Sequence, residues 1–257
     1  ALYAMASSYT PLLAPKIGQT NFNVATEAKA VYGQADFPVA DKTTLTTGLR
    51  YTDEKKTGAI DRAYPTAPYT PGMTYVPPAM SGATGITAGP DSVSFQAWTP
   101  TVALSYKLDN NNMVFGRIAK GFKAGGYPLE AASAAAAMKP FDPEKSTSYE
   151  LGAKGANGAS SYAATLFMAK LTNQQISFLP ANSTSPTIQN AGESTYKGIE
   201  LEGALKVTSD TKLGASYGYL HAQFDKFMTA GIYSNGALVD AASNLVMGYA
   251  PRSEERR

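Results

Sequence analysis

Ser146-Thr147-Ser148-Tyr149-Glu150-Leu151-Gly152-Ala153-Lys154 reads with a period of two. Thr147, Tyr149, Leu151 and Ala153 share one side of an extended chain, and Ser148, Glu150, Gly152 and Lys154 share the other. One side is largely apolar and the other polar or small, which predicts a β-strand between two different environments. The same signature recurs on either side of this stretch. In Thr43–Asp53, Leu45, Thr47, Leu49 and Tyr51 alternate with Thr44, Thr46, Gly48 and Arg50. In Thr195–Val207, Ile199, Leu201, Leu205 and Val207 alternate with Glu200, Glu202 and Lys206. Five more segments read as strands: about Ala28–Phe37, Ser94–Leu108, Asn112–Phe122, Ser161–Leu171 and Thr211–Phe224. Pro100 lacks a backbone N–H, so either regular pairing in its segment begins after it or the strand is locally exposed there.

The connections alternate as well. Pro38–Lys42, Asp109–Asn111, Ala156–Ser160 and Thr208–Asp210 are short and rich in turn residues. Glu54–Val93, Lys123–Lys145 and Thr172–Ser194 are long. Repeated long loops are uncommon in compact soluble domains. An antiparallel transmembrane β-barrel produces this rhythm, with short periplasmic turns at one rim and long extracellular loops at the other. Strands in lipid must pair every backbone N–H and C=O, which leaves few other solutions. Tyr51, Tyr106, Tyr149 and Tyr217 are candidates for the aromatic belts at the two interfaces. A β-sandwich also alternates along its strands and is the competing architecture. Its solvent face would have to carry Arg50, Glu150, Lys154, Glu200, Glu202 and Lys206.

Composition narrows the classes. The chain has 257 residues, Gly 23 and Pro 16, with aromatics at 11% and charged residues at only 16%. No run of 18 apolar residues is present, so a transmembrane helix is excluded. Cys 0 removes disulfides and thiolate metal sites, and one histidine, His221, removes a His-rich zinc site. A net charge of +2 with no long basic stretch gives nucleic acid nothing to bind. Ala1–Met5 has no basic flank, and Pro11 and Pro15 interrupt the next stretch, so no signal peptide is read there. For an exported protein this predicts processing or truncation upstream. No nucleophile elbow, Walker loop or dinucleotide fingerprint occurs. No enzyme activity and no cofactor are therefore expected.

Specific wording adds a family. Thr46-Thr47-Gly48-Leu49-Arg50-Tyr51-Thr52-Asp53-Glu54-Lys55-Lys56 resembles the TxGxRYTxExK strand of TonB-dependent outer-membrane receptors. Trp98-Thr99-Pro100 with Val102-Ala103-Leu104-Ser105-Tyr106 resembles their next strand. Met113-Val114-Phe115-Gly116, leading to Lys120-Gly121-Phe122-Lys123-Ala124-Gly125-Gly126-Tyr127, is similar to their YASxxxGFKxGGF element. Pro143-Glu144, continuing through Tyr149-Glu150-Leu151-Gly152-Ala153-Lys154, resembles PExxxxYExGxK. Asn190-Ala191-Gly192, continuing to Gly198-Ile199-Glu200-Leu201-Glu202, resembles NAGxxxxxGxExE. The matches occur in family order between about Ala28 and Phe224.

The resemblance implies part of an outer-membrane barrel of about 22 strands, of which only about eight are visible here. The family's N-terminal plug domain has no counterpart, and Ser253-Glu254-Glu255-Arg256-Arg257 lacks its terminal aromatic residue. An internal portion, or a truncated or split relative, is expected. Residues 1–27 read as a lead-in segment, 28–224 as partial barrel, and 225–257 as extracellular loop and atypical tail.

Location is then the outer membrane of a Gram-negative bacterium. The implied function is active uptake of a scarce bulky solute, foremost a ferric siderophore. Energy would come through a TonB-like periplasmic protein and its inner-membrane complex, acting on the plug. A passive porin-like channel and a surface adhesin or structural barrel are the alternatives. Tyr64, Tyr69 and Tyr75 in the first long loop, Phe178 in the third and Tyr233 after the eighth strand are candidate contacts for a small-molecule ligand. Arg50, Glu150, Lys154, Glu200 and Glu202 are expected to face the lumen or plug. Glu150 and Lys154 lie about 13 Å apart along one strand, too far to pair, and are expected to meet neighbouring strands or the plug. Gly48, Gly152, Gly198 and Gly203 are expected to leave room on the inner face. His221 is expected near a rim, in a structural or interfacial role.

Overall fold

The computed structural model describes residues 19–63, 86–130, 134–178, 186–234 and 237–240. Nine strands form one antiparallel sheet in sequence order. They are β1 (Gln19–Ala40), β2 (Thr43–Ala63), β3 (Ile86–Lys107), β4 (Asn112–Lys123), β5 (Glu144–Asn157), β6 (Ser160–Phe178), β7 (Thr187–Lys206), β8 (Lys212–Ser234) and β9 (Ala237–Asp240). One helical turn, α1 (Ala134–Ala137), lies between β4 and β5. The eight expected strands are present. The short β9, which sequence reading misses, pairs with the far end of β8.

Strand ends near the short turns agree with the alternation to within a few residues. At the opposite rim the strands run much further than expected. β1 begins at Gln19, β2 continues to Ala63, β6 to Phe178 and β8 to Ser234. Strands of 19 to 23 residues exceed what a bilayer requires. Much of what reads as long loop is therefore paired strand standing clear of the lipid. β3 runs without a break through Pro100, which pairs with Leu49 on β2. On its β4 side the ladder begins at Thr101↔Ala119, immediately after the proline.

Short turns close the near rim. Lys42 (φ 64°) and Gly158 (φ 55°) supply the left-handed positions of two of them. In the β3–β4 turn the Asp109 carboxylate accepts from the Asn111 N–H (2.7 Å), the Asn112 N–H (2.8 Å) and Asn112 Nδ2 (2.9 Å). These bonds, led by that from the Asn111 amide and then the Asn112 side chain, hold the Asp109 carboxyl below its ordinary value.

Register divides the sheet into two faces. Leu45 pairs with Phe37 and Leu104, Leu104 with Gly116, Gly116 with Leu151, Leu151 with Leu166, Leu166 with Ile199, and Ile199 with Tyr219. Paired residues point the same way, so these mark one apolar face. It is open: Trp98 is 62% exposed, Leu151 61% and Leu213 61%. Leaving such side chains in water costs roughly 1.5–3 kcal/mol each. Burial would recover part of that for each of many side chains, so a face of this kind is built to be covered. A sandwich would press this face against a second sheet, yet every described strand belongs to one sheet.

Aromatics populate this face as expected. Tyr51, Tyr106, Tyr149 and Tyr217 all lie on it by register. Tyr51 stacks obliquely on Trp98 with ring centroids 4.8 Å apart.

Candidate functional site

The opposite face is polar. Arg50, Glu150, Lys154, Glu200 and Glu202 all lie on it, as their parity requires. Glu150 and Lys154 both meet β4. Arg117 Nη1 donates to Glu150 Oε1 at 3.2 Å, and Lys154 Nζ sits 6.0 Å above the Phe115 ring. Arg50 Nε donates to Thr52 Oγ1 on its own strand at 3.1 Å.

The glycines behave differently from the sequence expectation. A Cβ on Gly152 would fall 2.5 Å from the Phe115 ring, and one on Gly198 would fall 2.7 Å from that of Phe167. Each ring covers its cross-strand glycine, so neither position is vacant space. Gly203 pairs with Tyr162 and lies on the apolar face, which corrects its inward assignment. Gly48 alone of the four is inward and open.

Above this face the β4–β5 connection folds back over the sheet. Its two ends meet at an isolated bridge, with Phe141 N donating to Gly126 O at 2.8 Å and Gly126 N to Phe141 O at 3.3 Å. Gly125 must be glycine: an added Cβ would collide with Phe141 O and lie 2.6 Å from the Phe95 ring of β3. Tyr127 then lies over Gly58 of β2, where a Cβ would come within 2.7 Å of its ring. Beyond it, Leu129 and Ala137 are buried against Ile60, with Ala88, Tyr127 and Met138 around them. This is the most buried apolar cluster among the described residues, and it joins a loop to the polar face. Desolvation, followed by the charge and hydrogen bond of Asp91, pushes the Tyr127 phenol above its ordinary value.

Strands β6 and β7 grip the other side of the connection. Gln175 Nε2 donates to Ala124 O (2.8 Å) and to Asp142 O (3.1 Å), while the Gln175 N–H donates to Glu144 Oε2 (2.9 Å). Asn190 Nδ2 donates to Asp142 O and to Asn173 O, both at 2.8 Å, and Asn190 Oδ1 accepts from Asp142 N at 2.7 Å. Asn173 occupies the left-handed region (φ 54°), beside the β6–β7 register shift.

Three motifs distant in sequence thus meet here: Ala124-Gly125-Gly126-Tyr127, Pro143-Glu144 and Asn190. Motif wording exposes these residues, but not that they touch. Gln175, Phe95 and Gly58 carry no local signal and are found only through the fold.

A cavity of about 310 Å³ opens beside the folded connection. Phe22 and Val24 of β1, Tyr127 and Leu129 of the connection, and Ser177 and Ile188 at the tips of β6 and β7 line it. Residues from the first strand and the sixth and seventh reach one pocket, so the polar face is concave at this rim. Its lining combines aromatic and aliphatic surface with hydroxyls and the Glu130 carboxylate.

Of the loop candidates, Tyr64, Tyr69 and Tyr75 lie outside the described residues. Phe178 is the last residue of β6 rather than part of a loop. Tyr233 belongs to β8, where it pairs with Leu238 of β9. The side chains of both lie outside the described residues. His221, far along β8, is exposed and hydrogen-bonds Gln223 at 3.2 Å.

A sequence profile of the family described as TonB dependent receptor-like, beta-barrel matches residues 3–252. The pesticin receptor of Yersinia enterocolitica is 26% identical over 196 residues, which are 76% of this chain and 26% of that protein. The ferric yersiniabactin uptake receptor FyuA of Yersinia pestis superposes with a TM-score of 0.64 at 20% identity, over 80% of this chain and 28% of that one. The siderophore receptor PiuA of Acinetobacter baumannii gives 0.57 at 20% identity, over 86% and 29%. The chain spans about a quarter of the length of the curated relatives it matches.

Proposed function

The chain belongs to the TonB-dependent receptor β-barrel family of the outer membrane, and from that membership we propose that it serves TonB-dependent uptake of a ferric siderophore. The chain would supply part of a barrel wall of about 22 strands. A plug inside that wall would couple to a TonB-like periplasmic protein and its inner-membrane complex.

The observation that carries this reading is the inward-folded β4–β5 connection. It is held by Phe95 on one side and by Gln175 and Asn190 on the other. A passive channel needs only an open lumen. A receptor needs a fixed surface at the outer mouth that can hold a bulky solute, and the cavity beside Tyr127 offers one. Relatives named for ferric yersiniabactin uptake and for siderophore reception support the same solute class. No bond needs to change, so recognition and passage are the whole task.

Uptake of radioiron presented as ferric siderophores, in cells with the full receptor as their sole route, tests this. Accumulation should require both TonB and the receptor, and planar bilayers containing the receptor should show little steady conductance. Undiminished accumulation without TonB, together with steady conductance, would establish the porin-like alternative instead.

A further inference from the structure

On the polar face, four successive rows of paired residues across β4–β8 each hold a single aromatic side chain. Phe115 of β4 shares the lowest row with Gly152 and Thr165. One row nearer the long connections stands Phe167 of β6, beside Glu150 and Gly198. Tyr196 of β7 occupies the third row, between Ala169 and Ala222, and Phe224 of β8 the fourth, opposite Ser194. Each step moves one row along and one strand across, or two strands across for the first. Successive aromatic positions are therefore about 12, 8 and 8 Å apart. The Phe227 ring adjoins that of Phe224, with centroids 4.8 Å apart. Phe227 pairs with Gly192, close to the Asn190 that grips the folded connection. The diagonal thus starts beneath that connection and descends toward the short-turn rim.

Its lower rings are laid down on the wall. A Cβ on Gly152 would meet the Phe115 ring and one on Gly198 the Phe167 ring, so each ring lies over the backbone of the neighbouring strand. Lys154 Nζ stands 6.0 Å over the Phe115 ring, so a π-face is turned to the interior. The rest of the Tyr196 row is small: Ala119, Ser148, Ala169 and Ala222. Small neighbours give a bulky solute clearance, while the rings supply apolar contact. Flat faces without directional bonds hold an aryl group weakly, and several in series let it leave one for the next.

We propose that Phe115, Phe167, Tyr196 and Phe224 form a lane along the inner wall that passes the aryl groups of a ferric siderophore from the mouth toward the periplasm. The inference rests on the uptake reading above and adds to it the class of substituent and its route. Gly152 and Gly198 serve the lane by letting the rings lie flat. Alkyl groups gain less from it, because they do not stack.

Two ferric trihydroxamates, alike except for phenyl or methyl groups at their periphery, test the proposal in cells carrying the full receptor. Binding is measured without TonB and initial radioiron uptake with it. Combined Phe115→Leu, Phe167→Leu and Tyr196→Leu should leave the Kd of both complexes within about twofold. Uptake of the phenyl complex should slow about fivefold or more, and that of the methyl complex less than about twofold. Phe115→Tyr with Phe167→Tyr keeps the flat rings and should keep both rates. Unchanged uptake of the phenyl complex, a slowing explained by weaker binding, or equal slowing of the two complexes would overturn the proposal. Equal slowing is the result for rings that only pack against the plug. Accumulation of neither complex by the unsubstituted receptor would refute the siderophore reading itself, and this inference with it.

Discussion

The carboxamide of Asn190 holds the backbone of Asp142 from both sides, donating to its carbonyl at 2.8 Å and accepting from its N–H at 2.7 Å. The side chain of β7 thereby acts as a strand edge for a segment 48 residues away in sequence. Asn190→Asp keeps the acceptor but loses both donated bonds and places a charge against two carbonyls. We expect a local loss of about 1–3 kcal/mol. Amide exchange at Phe141 and Asp142 should accelerate, with the β5–β6 ladder unchanged. Unaltered exchange at those amides would show that the grip is not what holds the connection.

Gly125 is confined between Phe141 O and the Phe95 ring. Gly125→Ala should destabilise the folded connection by about 1–3 kcal/mol through overpacking. Phe95→Ala should not rescue it, since the carbonyl obstructs the new methyl group independently of the ring. Limited proteolysis within 124–143 reads the effect. Full rescue by Phe95→Ala would mean that the ring alone sets the requirement for glycine.

Two groups make the pH response specific. Asp109 is held below its ordinary value by turn hydrogen bonds. Its stabilising effect is therefore present above pH 3.8 and is lost as pH falls through the lower folded value. Exchange of the Asn111 and Asn112 amides should increase only at the acid end, and Asp109→Asn should blunt that change. Tyr127 shifts upward, so its contribution is present below pH 10.0 and is lost as pH rises through the folded value. Difference absorbance should show a late-ionising phenol that disappears in Tyr127→Phe.

The two faces should answer a charge oppositely. Leu166→Arg on the apolar face should cost about 2–4 kcal/mol of bilayer-inserted stability if it lies near the midplane. Thr165→Arg, its neighbour on the polar face, should cost well under half of that. Reversible unfolding from lipid vesicles measures both. Equal penalties would mean that the faces share one environment.

Strand parity was legible in the sequence because a period of two survives any uncertainty in length. Tyr149 and Glu150 are assigned to opposite faces before any partner is known, and register agrees. The short turns were legible for a similar reason, since Asp109 and Gly158 carry their own backbone geometry. Strand ends at the far rim were not. There Asn21 and Asn23 interleave with Phe22 and Val24 without an apolar run to mark a boundary. The folded connection was legible only as motifs. Contact between Gly58 and Tyr127, or between Ala124 and Gln175, depends on curvature that no local pattern records. Arg117 as the partner of Glu150 becomes readable once the β4–β5 register is known.

The central claim is that one face of this sheet meets lipid and the other meets a watery interior. Spin labels placed singly along β6 at Ala163, Ala164, Thr165, Leu166, Phe167 and Met168, in the receptor reconstituted in vesicles, test it most directly. Ala164, Leu166 and Met168 should be relaxed by oxygen dissolved in the bilayer, and Ala163, Thr165 and Phe167 by a water-soluble paramagnetic chelate, in strict alternation. Labels shielded from both agents at 164, 166 and 168 would contradict the claim, for they would place that face against protein.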